Sequence, residues 1–265
     1  MPGCRTNCET MTEPPGEFTE DAFLGGRLCL RQPKSGHRAG HDALLLAAAT
    51  RARPGDRVVD FGAGVGAAGL AVARRVPAIN LVLVEIDAGL AGLARSNAAS
   101  NAIAADVRVL DVTAAADALA AAGLSADSVD VVLMNPPFND AARHRVSPDR
   151  AREIAHVATA ATLEKWIHTG RRLLKSGGVL TLIWRADGLT EVLAALDRGF
   201  GSLAILPVHG DAETPAIRVL VRAIKGGRAP TRIHAALVLN DPPAVPNKQV
   251  RDILAGNGVL PLALP

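Results

Sequence analysis

Four consecutive residues, Asn135-Pro136-Pro137-Phe138, carry the two groups needed to hold a flat ring that bears an amine. An Asn side-chain carbonyl accepts hydrogen bonds from an amino group, and a Phe face stacks on a planar system. The prolines between them stiffen the backbone, so amide and ring project from fixed points. The target of such a pair is a nucleobase, or a planar amide, held by its NH2. Asn-Pro-Pro before a core aromatic is also an ordinary turn. Position separates the two readings: the tetrapeptide follows Val129-Asp130-Val131-Val132-Leu133-Met134, an apolar run that predicts a buried parallel strand. Ligands of open α/β sheets bind outside the carboxyl ends of such strands.

A second constellation lies upstream. Val58-Val59-Asp60-Phe61-Gly62-Ala63-Gly64-Val65-Gly66 ends one predicted strand and opens a helix, with glycine at every second position. That spacing lets the backbone approach a ligand at a helix N-terminus. Gly64-x-Gly66-x-x-Gly69 also satisfies the dinucleotide pattern. Asp60, just ahead of the first glycine, argues for a cationic amino-acid moiety instead, since a carboxylate repels pyrophosphate. Gly69 falls inside the helix, where a small residue permits close helix–sheet packing. Glu85 ends the next strand and suits a ribose diol, and Asp111 ends the third and suits an adenine amino group or a turn.

The elements that must position these residues alternate. Strands are predicted at 57–61, 79–85, 107–110, 129–134 and 179–184, with helices at 67–75, 88–100, 113–122, 150–174 and 189–197. Alternation of this kind implies an α/β fold, a parallel sheet with helices on both faces. A closing pair, 203–208 and 216–223, has too short a connection for a helical crossover and should be antiparallel. Upstream, 22–31 suggests a strand or hairpin, and Asp42 is placed as the N-cap of a buried helix over 43–51. Residues 1–20 look disordered, with Met11 an alternative start to Met1. Residues 21–225 form the main domain, including a cap over 21–53, and 226–265 form a surface extension with a possible strand at 234–239.

Composition bounds the function. Lys and Arg number 29 against 26 Asp and Glu, a formal charge of +3 that permits a nucleic-acid partner without demanding one. The cations cluster: Arg27, Arg31, Lys34 and Arg38 lie with His37 and His41 in an acid-free stretch, and Arg143, His144, Arg145, Arg150 and Arg152 follow the tetrapeptide. Both stretches are candidate phosphate grips or solvated faces. Cys4, Cys8 and Cys29 lack partners for a staple or metal site, which points to a reducing, cytoplasmic setting and no metal. No run approaches the ~18 apolar residues of a membrane span, so no membrane partner is expected.

Taken in order, Asp60-x-Gly62-x-Gly64-x-Gly66, Glu85, Asp111 and Asn135-Pro136-Pro137-Phe138 resemble the class I S-adenosylmethionine-dependent methyltransferases, in the amino-methylating branch. The resemblance covers about residues 40–225. It implies a Rossmann-like fold of seven strands, mostly parallel with the last antiparallel, and S-adenosylmethionine as cofactor. Asp60, Gly62, Gly64, Gly66, Glu85 and Asp111 would then bind the cofactor, and Asn135, Pro136, Pro137 and Phe138 would be catalytic. Gly40-His41-Asp42-Ala43-Leu44-Leu45-Leu46 and Pro215-Ala216-Ile217-Arg218-Val219-Leu220 further resemble the bacterial tRNA(Val) adenine N6-methyltransferase family, which implies RNA, a tRNA, as partner. Members of that family have Tyr at the position of Phe138. Phe stacks without donating a phenolic hydrogen bond, and it is the residue of guanine N2-methylating rRNA enzymes.

The expected reaction is methyl transfer to adenine N6 in tRNA. Guanine N2 in rRNA and a protein glutamine amide are alternatives served by the same four residues. A non-catalytic S-adenosylmethionine-binding protein is the alternative from another class.

Overall fold

In the computed structural model, described over residues 18–34, 38–137, 149–241 and 245–264 with backbone alone at 149–159, the alternating run closes into one mixed sheet. An N-terminal hairpin comes first, β1 (Phe18–Phe23) antiparallel to β2 (Leu28–Pro33), followed by α1 (His41–Ala49). The core alternation then runs β3 (Arg57–Phe61), α2 (Ala67–Arg75), β4 (Asn80–Glu85), α3 (Ala88–Ser100), β5 (Ala105–Val109), α4 (Ala116–Ala121), β6 (Val129–Met134) and α5 (Asp149–Leu173). It ends with β7 (Leu174–Arg185), α6 (Leu189–Leu196), β8 (Phe200–His209) and β9 (Ala216–Lys225). The strand order is β8-β9-β7-β6-β3-β4-β5, with β9 antiparallel to both neighbours. This is the seven-stranded, mostly parallel arrangement expected from the sequence.

Alternation along each strand explains why helices cover both faces. Val58, Leu81, Leu83, Val131 and Leu133 face one core with α1, α2 and α3. Val59, Phe61, Val82, Val84, Val132 and Met134 face the other with α4, α5 and α6. Successive side chains of a strand point to opposite faces, so both sets must be apolar in a sheet buried on both sides.

Two expectations need correction. Asp42 does not cap α1: Gly40 is the N-cap and Asp42 lies in the first turn, where its carboxylate pairs with Arg218 at 3.0 Å. An acid there is favoured by the helix dipole as well as by the arginine. The segment beyond Gly226 is not a surface layer. β10 (Arg232–Ile233) and β11 (Leu237–Val238) extend the sheet beside β8, making it nine-stranded. After the short pair β12 (Asn240–Asp241) and β13 (Val245–Pro246), α7 (Lys248–Leu254) returns to α1. Leu237, Val250, Ile253, Leu260 and Leu262 are buried in the α1-side core, and the Leu260 N–H donates to Ala48 O at 2.9 Å. Those side chains are scattered among Pro, Gly and Asn, so no periodicity revealed them.

The hairpin docks through two amides. Asn97 and Asn101, one turn apart on α3, hydrogen-bond the backbone of Arg31 and Cys29, two residues apart on β2. One helical turn and two strand residues both span about 6 Å, so the spacings match.

Candidate active site

The carboxyl ends of β3, β4, β5 and β6 lie side by side. Phe61 pairs with Val84 and with Met134, so Gly62, Glu85 and Asn135 emerge together at one edge of the sheet. Leu110, after β5, donates its N–H to Glu85 O at 2.9 Å and brings Asp111 to the same edge.

The glycine loop between β3 and α2 is held open from below. Gly62, Gly64 and Gly66 all have left-handed backbone, with φ of 64, 56 and 89°. A β-carbon on Gly62 would overlap the indole of Trp166 from α5, with Cζ3 only 3.1 Å away. Trp166 in turn meets Phe61 edge-on, with ring centroids 6.3 Å apart. Asn97 Nδ2 donates to Val65 O at 3.0 Å, fixing the loop from the α3 side. Neither Trp166 nor Asn97 was singled out from the sequence. Each sits within a helix among charged and small residues that mark nothing out, and only the fold reveals its contact with the loop.

The acids divide by environment. Glu85 is buried, with one carboxylate oxygen accepting the Gly64 N–H at 2.8 Å and the other the Asp87 N–H at 2.9 Å. Each oxygen keeps a lone pair, so the group is pre-oriented to accept further hydroxyl donors. Asp60 is buried beneath the first turn of α2, where Oδ2 accepts the Gly69 N–H at 2.8 Å. Burial pushes its carboxyl up to about 7, against the lowering effect of that hydrogen bond and with added repulsion from Glu85. A β-carbon on Gly69 would come within 3.0 Å of that oxygen, which explains a small residue inside the helix. Asp111 is exposed and turns back on itself, its Oδ1 accepting from Thr113 N and Oγ1 at 2.7 and 2.8 Å.

Asn135 differs from all of them. Its side-chain Oδ1 is buried and has no hydrogen-bond partner among the described residues. Leaving a buried acceptor unmet costs about 1–3 kcal/mol, a cost that a bound N–H donor removes. Pro136 is buried beside it and Pro137 is exposed. Phe138, Arg143, His144 and Arg145 lie outside the described residues, as do Cys4, Cys8 and His37.

Open glycine backbone at a helix start, a buried carboxylate on the adjacent strand and an amide carbonyl with no partner among the described residues therefore share one edge of the sheet. Residues 38–210 match the model of the methyltransferase small domain family. The chain belongs to that family. It is an S-adenosylmethionine-dependent methyltransferase. A tRNA1(Val) (adenine(37)-N6)-methyltransferase of Porphyromonas gingivalis is 31% identical over 176 residues, covering 65% of this chain and 68% of that protein. A ribosomal RNA small subunit methyltransferase C of Pseudomonas syringae pv. tomato is 34% identical over 130 residues, 49% of this chain and 32% of that one. Among solved structures, a predicted O-methyltransferase from Agrobacterium tumefaciens superposes with a TM-score of 0.69 at 33% identity, covering 83% of this chain and 98% of that one. In open α/β sheets ligands bind outside the carboxyl ends of the strands, the edge where Gly62, Glu85 and Asn135 converge. Among the described residues, no helix of this methyltransferase is long and apolar enough to cross a membrane.

Proposed function

We propose that this methyltransferase acts on the exocyclic amine of a nucleobase in RNA, with N6 of adenine in a tRNA as the substrate. The observation that carries the reading is the unmet, buried Oδ1 of Asn135 at the carboxyl edge of β6. S-adenosylmethionine supplies a methyl group activated by its sulfonium. The backbone of Gly62, Gly64 and Gly66 would hold it closely, Glu85 would take the ribose hydroxyls and Asp111 the adenine amino group through its remaining oxygen.

An adenine amino group is a poor nucleophile because its lone pair is delocalised into the ring. The Asn135 side-chain carbonyl and the Pro136 backbone carbonyl would accept its two N–H groups. That pairing would stabilise the positive charge that grows on nitrogen as the N–C bond forms and the methyl–sulfur bond breaks, the cofactor leaving as a neutral thioether and the extra amine proton passing to water. Phe138 would stack on the base, which must be unpaired or splayed out to reach the edge. An alcohol has one O–H for these acceptors and an amine has two N–H groups, so the pair favours N-methylation. The relative from Porphyromonas gingivalis bears the name of a tRNA adenine enzyme, which supports the choice of base and RNA. Phe138, in place of the Tyr of that family, favours guanine N2 in rRNA as the second reading.

Nucleoside mass spectrometry on tRNA and rRNA, separated from cells with and without the gene, tests both. Loss of N6-methyladenosine from tRNA, restored by purified protein and S-adenosylmethionine, supports the first reading. Loss of N2-methylguanosine from rRNA transfers the assignment to the second, and an unchanged RNA pool points to a protein glutamine amide.

A further inference from the structure

The cations marked out by the sequence near the hairpin are mostly spent inside the protein. Arg38 pairs with Asp21 at 2.6 Å and Arg31 faces Glu20 at 3.6 Å. Arg27 donates to Ala255 O and Asn257 Oδ1. Uncommitted positive charge lies elsewhere, at the amino edge of the sheet and opposite the Asn135 edge.

There, an open cleft of about 220 Å³ is bounded by Arg51, Arg53, Asp56, Asp130, Lys175 and the Ser176–Gly178 stretch near the start of β7. Of the acids nearby, Asp130 and Asp127 are neutralised by lysines. Asp130 accepts from Lys175 Nζ at 2.7 Å and from the Arg57 N–H at 2.9 Å, and Asp56 accepts the Arg53 N–H at 2.8 Å. Asp127 accepts from Lys225 Nζ at 2.7 Å. Arg51 and Arg53 have no ion-pair partner among the described residues, and neither do Arg228 and Arg232.

The two sets of arginines are contiguous. A β-carbon on Gly226 would lie about 4.0 Å from Ser176 Oγ, so the 226–231 turn adjoins the cleft. Arg51 and Arg232 both sit close enough to the Arg222 guanidinium to help burial hold it below its ordinary value. Arg232 pairs with Ala204 part-way along β8, which carries the positive face from the amino edge up the open flank of the sheet. Arg53, Arg228 and Arg232 are exposed. Strands of ten residues span about 30 Å, so β8 bridges the distance between the two edges.

We propose that this face is a second RNA contact, in which Arg51, Arg53, Arg228 and Arg232 grip sugar-phosphate backbone remote from the methylated base. The inference rests on the RNA reading of the active site. Arginines without acid partners beside exposed turn backbone suit phosphate oxygens and read no base identity. An RNA body long enough to follow the β8 flank would engage both edges, and a short hairpin would engage only the carboxyl edge. The face would thus select for a large, folded RNA.

Fluorescence anisotropy separates the possibilities, using a labelled full-length tRNA transcript, a labelled anticodon hairpin and a salt series. The triple reversal Arg53→Glu, Arg228→Glu, Arg232→Glu should weaken full-length tRNA binding at least tenfold near 0.1 M salt. It should also lower the slope of log K against log salt by about 2 to 3, roughly one per lost phosphate contact. Hairpin affinity should change less than twofold, with unaltered S-adenosylmethionine binding and Tm. A triple glutamine variant serves if the reversal fails to fold. Unchanged tRNA affinity and slope overturn the proposal and leave an acidic protein as the partner for this face. Equal losses on both RNAs also overturn it, by merging the face with the primary site. Wild-type protein that binds neither RNA removes the RNA reading itself, an outcome distinct from wild-type binding that the reversal leaves untouched.

Discussion

The indole of Trp166 occupies the space that a β-carbon on Gly62 would need. A residue of α5, the helix that follows the Asn135–Phe138 tetrapeptide, thereby sets the height of the first peptide in the glycine loop. Gly62→Ala combines this overlap with left-handed strain of about 1–2 kcal/mol. Total destabilisation of about 2–4 kcal/mol is expected by denaturant unfolding, with at least tenfold weaker S-adenosylmethionine binding by calorimetry. Trp166→Leu alone should cost about 2–4 kcal/mol through the cavity it leaves. In the double variant the losses should be less than additive, with a coupling of about 1–3 kcal/mol. Additive losses would show that the two residues act independently.

Replacing Asn135 by Ala should separate stability from catalysis. Removal of a buried carbonyl with no partner among the described residues should leave the free protein as stable as before or about 1 kcal/mol more stable. Methyl transfer should fall by about two to three orders of magnitude, because a transition-state acceptor is lost. S-adenosylmethionine affinity should stay within about threefold. A variant that binds the cofactor poorly would move Asn135 from the acceptor amine to the cofactor.

Asp60 gives a pH signature. Its carboxyl is raised to about 7 in the folded protein from an ordinary 3.8. The folded state therefore holds a proton that the unfolded chain releases between these values. Its contribution is complete below about pH 4 and is lost as pH rises through 7, at no more than about 1.4 kcal/mol per unit. A cation bound nearby stabilises the ionised form, so S-adenosylmethionine affinity should rise from pH 5.5 to 7.5. Asp60→Asn should flatten both profiles. If it flattens the stability profile alone, Asp60 supports the first turn of α2 through Gly69 and does not meet the cofactor.

Asn97 should be more sensitive than a helix-surface amide. It satisfies the N–H and C=O of Arg31 and the C=O of Val65 from a fully buried position. Asn97→Leu leaves these groups unmet and should cost about 3 kcal/mol or more, with faster hydrogen exchange at the Arg31 amide. Asn101→Ala, which releases only the next pair on β2, should cost less.

The parts of this methyltransferase that were legible in its sequence are those whose chemistry is local. Strands β3 and β6 begin and end where their apolar runs do, and α2 and α3 match their predicted limits, because a strand buried on both faces and a capped helix each carry their own signal. Gly62, Glu85 and Asn135 could be placed at one edge of the sheet because they sit at fixed offsets from those ends. Contacts between distant segments were not readable in this way. Asp42 looked like a cap because the partner that claims it, Arg218, is 176 residues away. Sequence spacing does not reveal that the Asp60 carboxylate also folds under Gly69 at the start of α2. The tail carries too few apolar residues in any one window to predict that Leu260 and Leu262 complete the core around α1.

That tail also sets the order in which the molecule can be assembled. Arg27, at the turn of the first hairpin, finds its partners at Ala255 and Asn257, 228 and 230 residues further on, and Ala48 waits for Leu260. During synthesis the hairpin and α1 therefore emerge early and keep apolar surface uncovered until the segment around 250–262 has been made. Closures over such separations are slow, and they expose intermediates to aggregation. Expression yield should therefore respond to substitutions at Leu260 and Leu262 well before any effect on the carboxyl edge of the sheet is seen.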